Sequence, residues 1–175
     1  MVTGSETEGR TTDVWHETQW MRGVWWVVLA VGAIAVLSWA GFVQQILLGR
    51  PYGTHPGPDW SVWLIWLGFG IAFPILFWFL RLSVEVSPQA LYIHYLPLLR
   101  RRIPLSEIVS VRARSYNPVL EYGGWGIRGW WRGRTIYSVR GTQCVEIELQ
   151  SGRIVAIGSQ RADELAAAVQ QRQEV

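Results

Sequence analysis

The sequence has no lysine: all sixteen basic side chains are arginine, a bias that GC-rich coding explains without any function. Its single cysteine, Cys144, excludes an intrachain disulfide and a cysteine-based zinc cluster within one chain. The three histidines, His16, His55 and His94, are far apart in the sequence, and only one aspartate, Asp163, follows Leu80. Paired carboxylates, a His/Asp metal set and a phosphate loop are missing. A non-enzymatic protein with no cofactor, no metal and no catalytic residues is therefore expected; the rival is an enzyme with an unrecognised site around Arg128–Arg140 and Glu121. The most informative absence is of charge. Neither Gly23–Leu48 nor Trp60–Leu80 contains a single Asp, Glu, Arg or Lys.

Each of these two runs meets the roughly 20 apolar residues that a helix needs to cross about 30 Å of hydrocarbon. A helix in a soluble core keeps a polar stripe, whereas the only hydroxyl of Trp60–Leu80 is Ser61. In the first run Gln44 and Gln45 fall near the end, where an interface or a partner helix can satisfy them. Trp25, Trp26, Trp60 and Trp78 lie at run ends, the preferred place for indoles at a membrane–water interface; Trp39, Trp63 and Trp66 are deeper and suit packing. The link 49–59 holds three Pro and three Gly, too many for a regular element, and its shortness makes the two helices antiparallel neighbours. Gly68 and Ala72 have the small-xxx-small spacing of helix–helix packing, with Gly70 in the same region. Pro74 is expected to kink the helix or free a carbonyl near Gly70. Arg22, Arg81 and Arg100–Arg102 flank the runs, against Arg50 alone in the link. That bias places both termini in the cytoplasm and the link outside, in a multi-pass membrane protein.

Residues 1–22 are polar without an apolar period and read as a disordered cytoplasmic tail; the long apolar run after them does not suit a signal peptide. Residues 23–81 are the transmembrane hairpin (23–48 and 60–80, outer link 49–59). From 82 the period changes to two. Val84 and Val86 alternate with Ser83 and Glu85, Leu91, Ile93 and Tyr95 with Tyr92 and His94, and Val145, Ile147 and Leu149 with Glu146 and Glu148, a β pattern throughout. Ser159 suits a helix cap, and Ala162, Leu165, Ala166 and Val169 form one apolar helical face. Residues 82–175 therefore read as a cytoplasmic domain of about seven strands and one amphipathic helix. The region after Leu80, Arg81 included, holds thirteen arginines against eight acids and is basic.

This order of hairpin, "RRRIPLSEI", strand, "GGWGIR" and "VEIELQSGRIVAIGSQRADEL" resembles the bacterial pleckstrin-homology-like (PH-like) domains found in small membrane proteins. The resemblance implies a bent antiparallel barrel capped by the C-terminal helix, and no enzyme activity. It carries over no ligand, and without lysine it does not extend to a lysine-dependent phosphoinositide pocket.

The stretch Tyr122–Arg134 contains a literal G-x-G-x-x-G at Gly124, Gly126 and Gly129. A dinucleotide site needs that motif between a strand and a helix, but here β pattern lies on both sides. The same stretch interleaves Arg128, Arg132, Arg134 and Arg140 with Trp125, Trp130 and Trp131. Arginine with tryptophan suits anionic lipid or a protein partner, and less readily single-stranded nucleic acid, with a membrane tether favouring lipid. The alternative is that Trp125 and Ile127 are core and the arginines are solvated charges. The expected function is an interaction module held at the membrane, its partner an anionic lipid, another membrane protein or a second copy; the alternative is an accessory subunit of a larger membrane complex.

Overall fold

The computed structural model describes residues 14–129 and 133–173. Two helices, α1 (Trp25–Leu47) and α2 (Asp59–Phe79), are long and apolar enough to cross a membrane. They pack against each other through aromatic side chains. The Trp66 ring stacks on Phe42 at 4.2 Å and meets Trp39 edge-on at 5.1 Å, while Trp63 meets Phe42 at 4.8 Å. These are the deeper tryptophans expected to pack. Gln45 donates to the Gly57 carbonyl and to Asp59, and Gln44 to the Pro51 carbonyl, so the link itself satisfies both glutamines.

Pro74 has the anticipated effect. Residues Trp66–Ala72 take the wider π-helical register ahead of it, and the Gly70 carbonyl, whose α-helical donor Pro74 cannot supply, accepts the Trp39 indole N–H at 3.3 Å. Close approach falls on Gly70 and not on Gly68. A Cβ at Gly70 would lie 3.5 Å from both Ser38 and Trp39, whereas one at Gly68 would meet nothing within 4 Å.

The rest of the described chain is two sheets facing each other. Sheet A is an antiparallel meander, β1 (Trp15–Trp20), β2 (Arg81–Val86), β3 (Ala90–Leu96) and β4 (Leu99–Pro104). Sheet B has the order β5 (Ile108–Ser115), β8 (Gln143–Leu149), β9 (Ile154–Gly158), β7 (Arg134–Ser138), β6 (Gly126–Arg128), with β7 and β9 parallel. The alternations hold as read. Leu82, Val84 and Val86 of β2, Leu91, Ile93 and Tyr95 of β3, and Val145, Ile147 and Leu149 of β8 all point into one core. The short α3 (Pro118–Tyr122) covers the outer face of sheet B. The C-terminal α4 (Ala162–Gln173) seals the core with Ala162, Leu165, Ala166 and Val169.

Three expectations need correction. The described residues hold nine strands, β1 and eight more after Leu80, where about seven were expected from residue 82 on. The sheets do not close into a barrel, and the parallel β7–β9 pair makes sheet B mixed. The N-terminal segment to residue 22 is not all tail, since Trp15–Trp20 is a full strand in register with β2, Trp20 opposite Arg81 and Trp15 opposite Val86. Its anchors are polar. Buried Gln19 donates to the Gly158 carbonyl at 3.0 Å, and the Glu17 carboxylate accepts from the Ser159 hydroxyl and the Gln160 N–H. Ser159 in turn accepts from the Arg161 N–H, within the turn just ahead of the C-terminal helix and not in its first turn as a cap would. The β module thus draws on both sides of the helical hairpin.

Candidate functional site

Strand β1 leads into α1, and α2 leads into β2, so one end of the β module is fixed to the hairpin. Met21 N–H donates to the Leu80 carbonyl across this junction at 3.1 Å. The Arg22 guanidinium lies over Trp20 at 4.1 Å and over Trp78 at 5.3 Å, and Arg81 lies over Trp20 at 5.0 Å. These cation–π stacks fix two charges beside the helix ends. The β3–β4 turn adds exposed Leu98 on the same side, because Leu96 pairs with Arg81.

Sheet B adds the second half of this collar. Asn117 caps α3 by accepting from Val119 N–H and Leu120 N–H, Pro118 opens the helix, and Gly123 at φ 73° ends it in the left-handed region. The chain then delivers Trp125, whose indole donates to the Gly141 carbonyl at 3.0 Å and whose ring sits 6.0 Å from Trp26 of α1. Arg128 Nε donates to the Trp125 carbonyl. The Arg140 guanidinium lies against Gly23, at the start of α1. Trp26, Val27, Met21, Trp125, Arg128 and Val139 enclose a cleft of about 370 Å³ between the helix and the sheet. Beneath it, the buried Tyr95 hydroxyl donates to the Ser138 carbonyl; burial pushes its pKa up to about 12, with Arg128 pulling the other way. Arg22, Arg81, Arg128 and Arg140 have no carboxylate partner among the described residues.

Of the site residues read from sequence, Arg128 and Arg140 join this collar. Arg134 does not. The antiparallel β6–β7 register puts Gly126 and Ser138 at the helix end. Arg134 is four residues further along β7, roughly 13 Å at about 3.3 Å per residue. There it pairs with Glu146 at 2.9 Å. Glu146 also holds Arg114 at 2.8 Å, and Arg114 holds Glu121 at 2.7 Å. Burial alone would raise the Glu146 pKa, but the Arg114 hydrogen bond and the two arginine charges outweigh it and hold the carboxyl below its ordinary range. Glu121 is lowered by the Arg114 hydrogen bond and then by the Asn117 N–H. This network lies over a small outer cluster of Tyr116, Ile136, Cys144 and Ala156. Cys144 is fully buried, and burial pushes its thiol up to about 11, which suits a packing residue and not a nucleophile. Trp130, Trp131 and Arg132 lie outside the described residues.

The glycine motif makes no nucleotide loop. Gly126 opens β6, another strand follows, and Gly129 permits close backbone passage, since a Cβ there would lie 2.6 Å from the Arg134 carbonyl oxygen. Sequence reading missed Arg22 and Arg81 as members of the site, although their flanking positions were visible. Only the strand register shows that they share one end with Arg128 and Arg140.

The molecule is an apolar helical hairpin joined through two short connections to a two-sheet β module, with a basic and aromatic collar at the joint. The chain belongs to DUF6141, a family of unknown function whose model matches residues 8–173, β1 included. No curated protein and no solved structure matches it.

Proposed function

We propose that this chain is a multi-pass protein of the bacterial inner membrane whose hairpin holds a PH-like, non-enzymatic binding module at the cytoplasmic face, seated on anionic lipid headgroups. The collar carries this reading: four arginines without carboxylate partners and four tryptophans (Trp20, Trp26, Trp78, Trp125) gather where both helices meet the sheets. Each base near an anionic surface contributes about 1 kcal/mol, and indoles favour the same depth. The helices support it as well. Within the apolar 18-residue stretch of each helix only 22% of the first and 11% of the second is buried, so water would face most of that apolar surface, whereas lipid would solvate it. The arginine bias across the hairpin supports an orientation with both termini in the cytoplasm.

The test uses the full chain in nanodiscs of phosphatidylglycerol or of phosphatidylcholine. Hydrogen exchange at Gly124–Arg128 and Pro97–Leu99 is expected to be several-fold slower in the anionic discs, with the difference shrinking as salt screens it beyond about 8–10 Å. R128Q/R140Q is expected to remove most of the difference. Equal exchange in the two lipids refutes lipid seating. In intact cells, cysteine at Thr54 is expected to react with an impermeant maleimide and cysteine at Ser151 is not; the opposite pattern refutes the orientation. Buried Cys144 stays silent in both.

A further inference from the structure

Because the two sheets do not close into a barrel, a cleft of about 530 Å³ opens between β4 and the β7–β9 pair. That is within the size range of small-ligand pockets. Its wall is unusual in sign. Arg100, Arg101 and Arg153 line it together with Thr135 and Tyr137, and no carboxylate does. None of the three arginines has a carboxylate partner among the described residues.

Strand β4 is the edge of sheet A, and outward arginines on an edge strand protect it from pairing with another chain. Arg100 and Arg102, exposed on β4, fit that role. Arg101 does not. It shares the inward parity of Leu99 and Ile103, is half-buried, and extends between the sheets to Tyr137, whose hydroxyl accepts from its Nη1 at 3.1 Å while the guanidinium lies 6.0 Å from the ring. A half-buried cation satisfied by one neutral hydroxyl leaves most of its donors free. Arg153 reaches the same space from the turn before β9, and the Thr135 hydroxyl stands on the inward face of β7.

We propose that this cleft is an anion site that takes a phosphate-bearing molecule, gripped by Arg101 and Arg153 with Arg100 at the rim. Guanidinium forks match phosphate oxygens two at a time, and the neighbouring hydroxyls supply further donors. The phosphate comes either from a free phosphate ester or from a lipid headgroup. The site is independent of the collar and stands whether or not the collar binds lipid.

The experiment titrates the full chain in neutral-detergent micelles with inorganic pyrophosphate at low salt by calorimetry. A second arm measures phosphatidylglycerol retained after purification from mixed micelles. R153Q, R101Q and the collar variant R128Q/R140Q are compared with the parent. For a free ester, pyrophosphate binds one to one, R153Q and R101Q each weaken it roughly tenfold or more, and the collar variant stays within about twofold of the parent. For a lipid headgroup, pyrophosphate does not bind, and adding R153Q to either the parent or the R128Q/R140Q collar variant lowers the phosphatidylglycerol retained. R101Q also breaks the Tyr137 bond, so if it fails to fold, R153Q decides alone, since Arg153 is exposed on a turn. If R153Q changes neither pyrophosphate affinity nor lipid retention, the proposal is overturned.

Discussion

Glu17→Ala tests whether the N-terminal strand is part of the β module. The Glu17 carboxylate accepts from the Gln19 amide at 2.9 Å, from the Gln160 N–H at 3.0 Å and from the Ser159 hydroxyl. It thereby ties β1 to the start of α4, 142 residues away along the chain. Hydrogen bonds to a charged group contribute about 1.5–3 kcal/mol each. Gln160 is exposed and Ser159 keeps its bond from the Arg161 N–H, so water and that bond recover part of the loss. A net cost of about 2 kcal/mol follows. For a unit near 100 residues this lowers the melting temperature by roughly 8–16 °C. It also speeds amide exchange in α4 by about thirtyfold, because α4 loses the strand that pins its first turn. The assay is exchange mass spectrometry on the full chain in detergent, read at peptides covering residues 162–169, beside a near-UV circular dichroism melt. Melting within about 2 °C of the parent with unchanged α4 exchange would refute the reasoning and return residues 14–20 to a loose tail.

Glu146→Gln removes the carboxylate shared by Arg114 and Arg134, with an expected loss of about 1–3 kcal/mol at neutral pH, measured by urea unfolding. Since the folded carboxyl titrates below its unfolded value, its contribution is full above about pH 4.3 and fades as pH falls through the folded value. The variant should therefore lose less stability than the parent on acidification below pH 4.3, and parallel acid profiles would contradict the network. Gly70→Val drives methyl groups into Ser38 and Trp39 and is expected to cost about 1–3 kcal/mol of hairpin stability in detergent. Gly68→Val, which meets open space, should leave the melt unchanged; equal effects would mean that the helices pack through a different face.

The parts legible in the sequence are those in which a segment's own period records its burial. Alternation in β2, β3 and β8, the apolar face of α4, and the two uncharged runs needed no knowledge of partners. Pro74 was legible for the same reason, because a missing N–H predicts an orphan carbonyl four residues back, although not that Trp39 would answer it. The failures are all matters of long-range pairing. Strand β1 reads WHETQW, a polar string without an apolar period, since Glu17 and Gln19 are held by hydrogen bonds to residues far along the chain. Arg134 and Arg128 look equivalent in sequence, and only the β6–β7 register sends one to Glu146 and the other to the helices. The parallel β7–β9 pairing has no local signal, because each strand is short and its neighbours are chosen by the sheet.

The joint between hairpin and sheet has a mechanical consequence. A single residue, Leu80, separates α2 from β2, and residues 21–24 separate β1 from α1. A module hung on one flexible tether sweeps out a wide arc. This one is gripped at two adjacent points by paired strands that continue the helices, so it cannot swivel about the hairpin axis. In a bilayer, any tilt of α1 against α2 acts as a lever on the β1–β2 pair and turns sheet A with it.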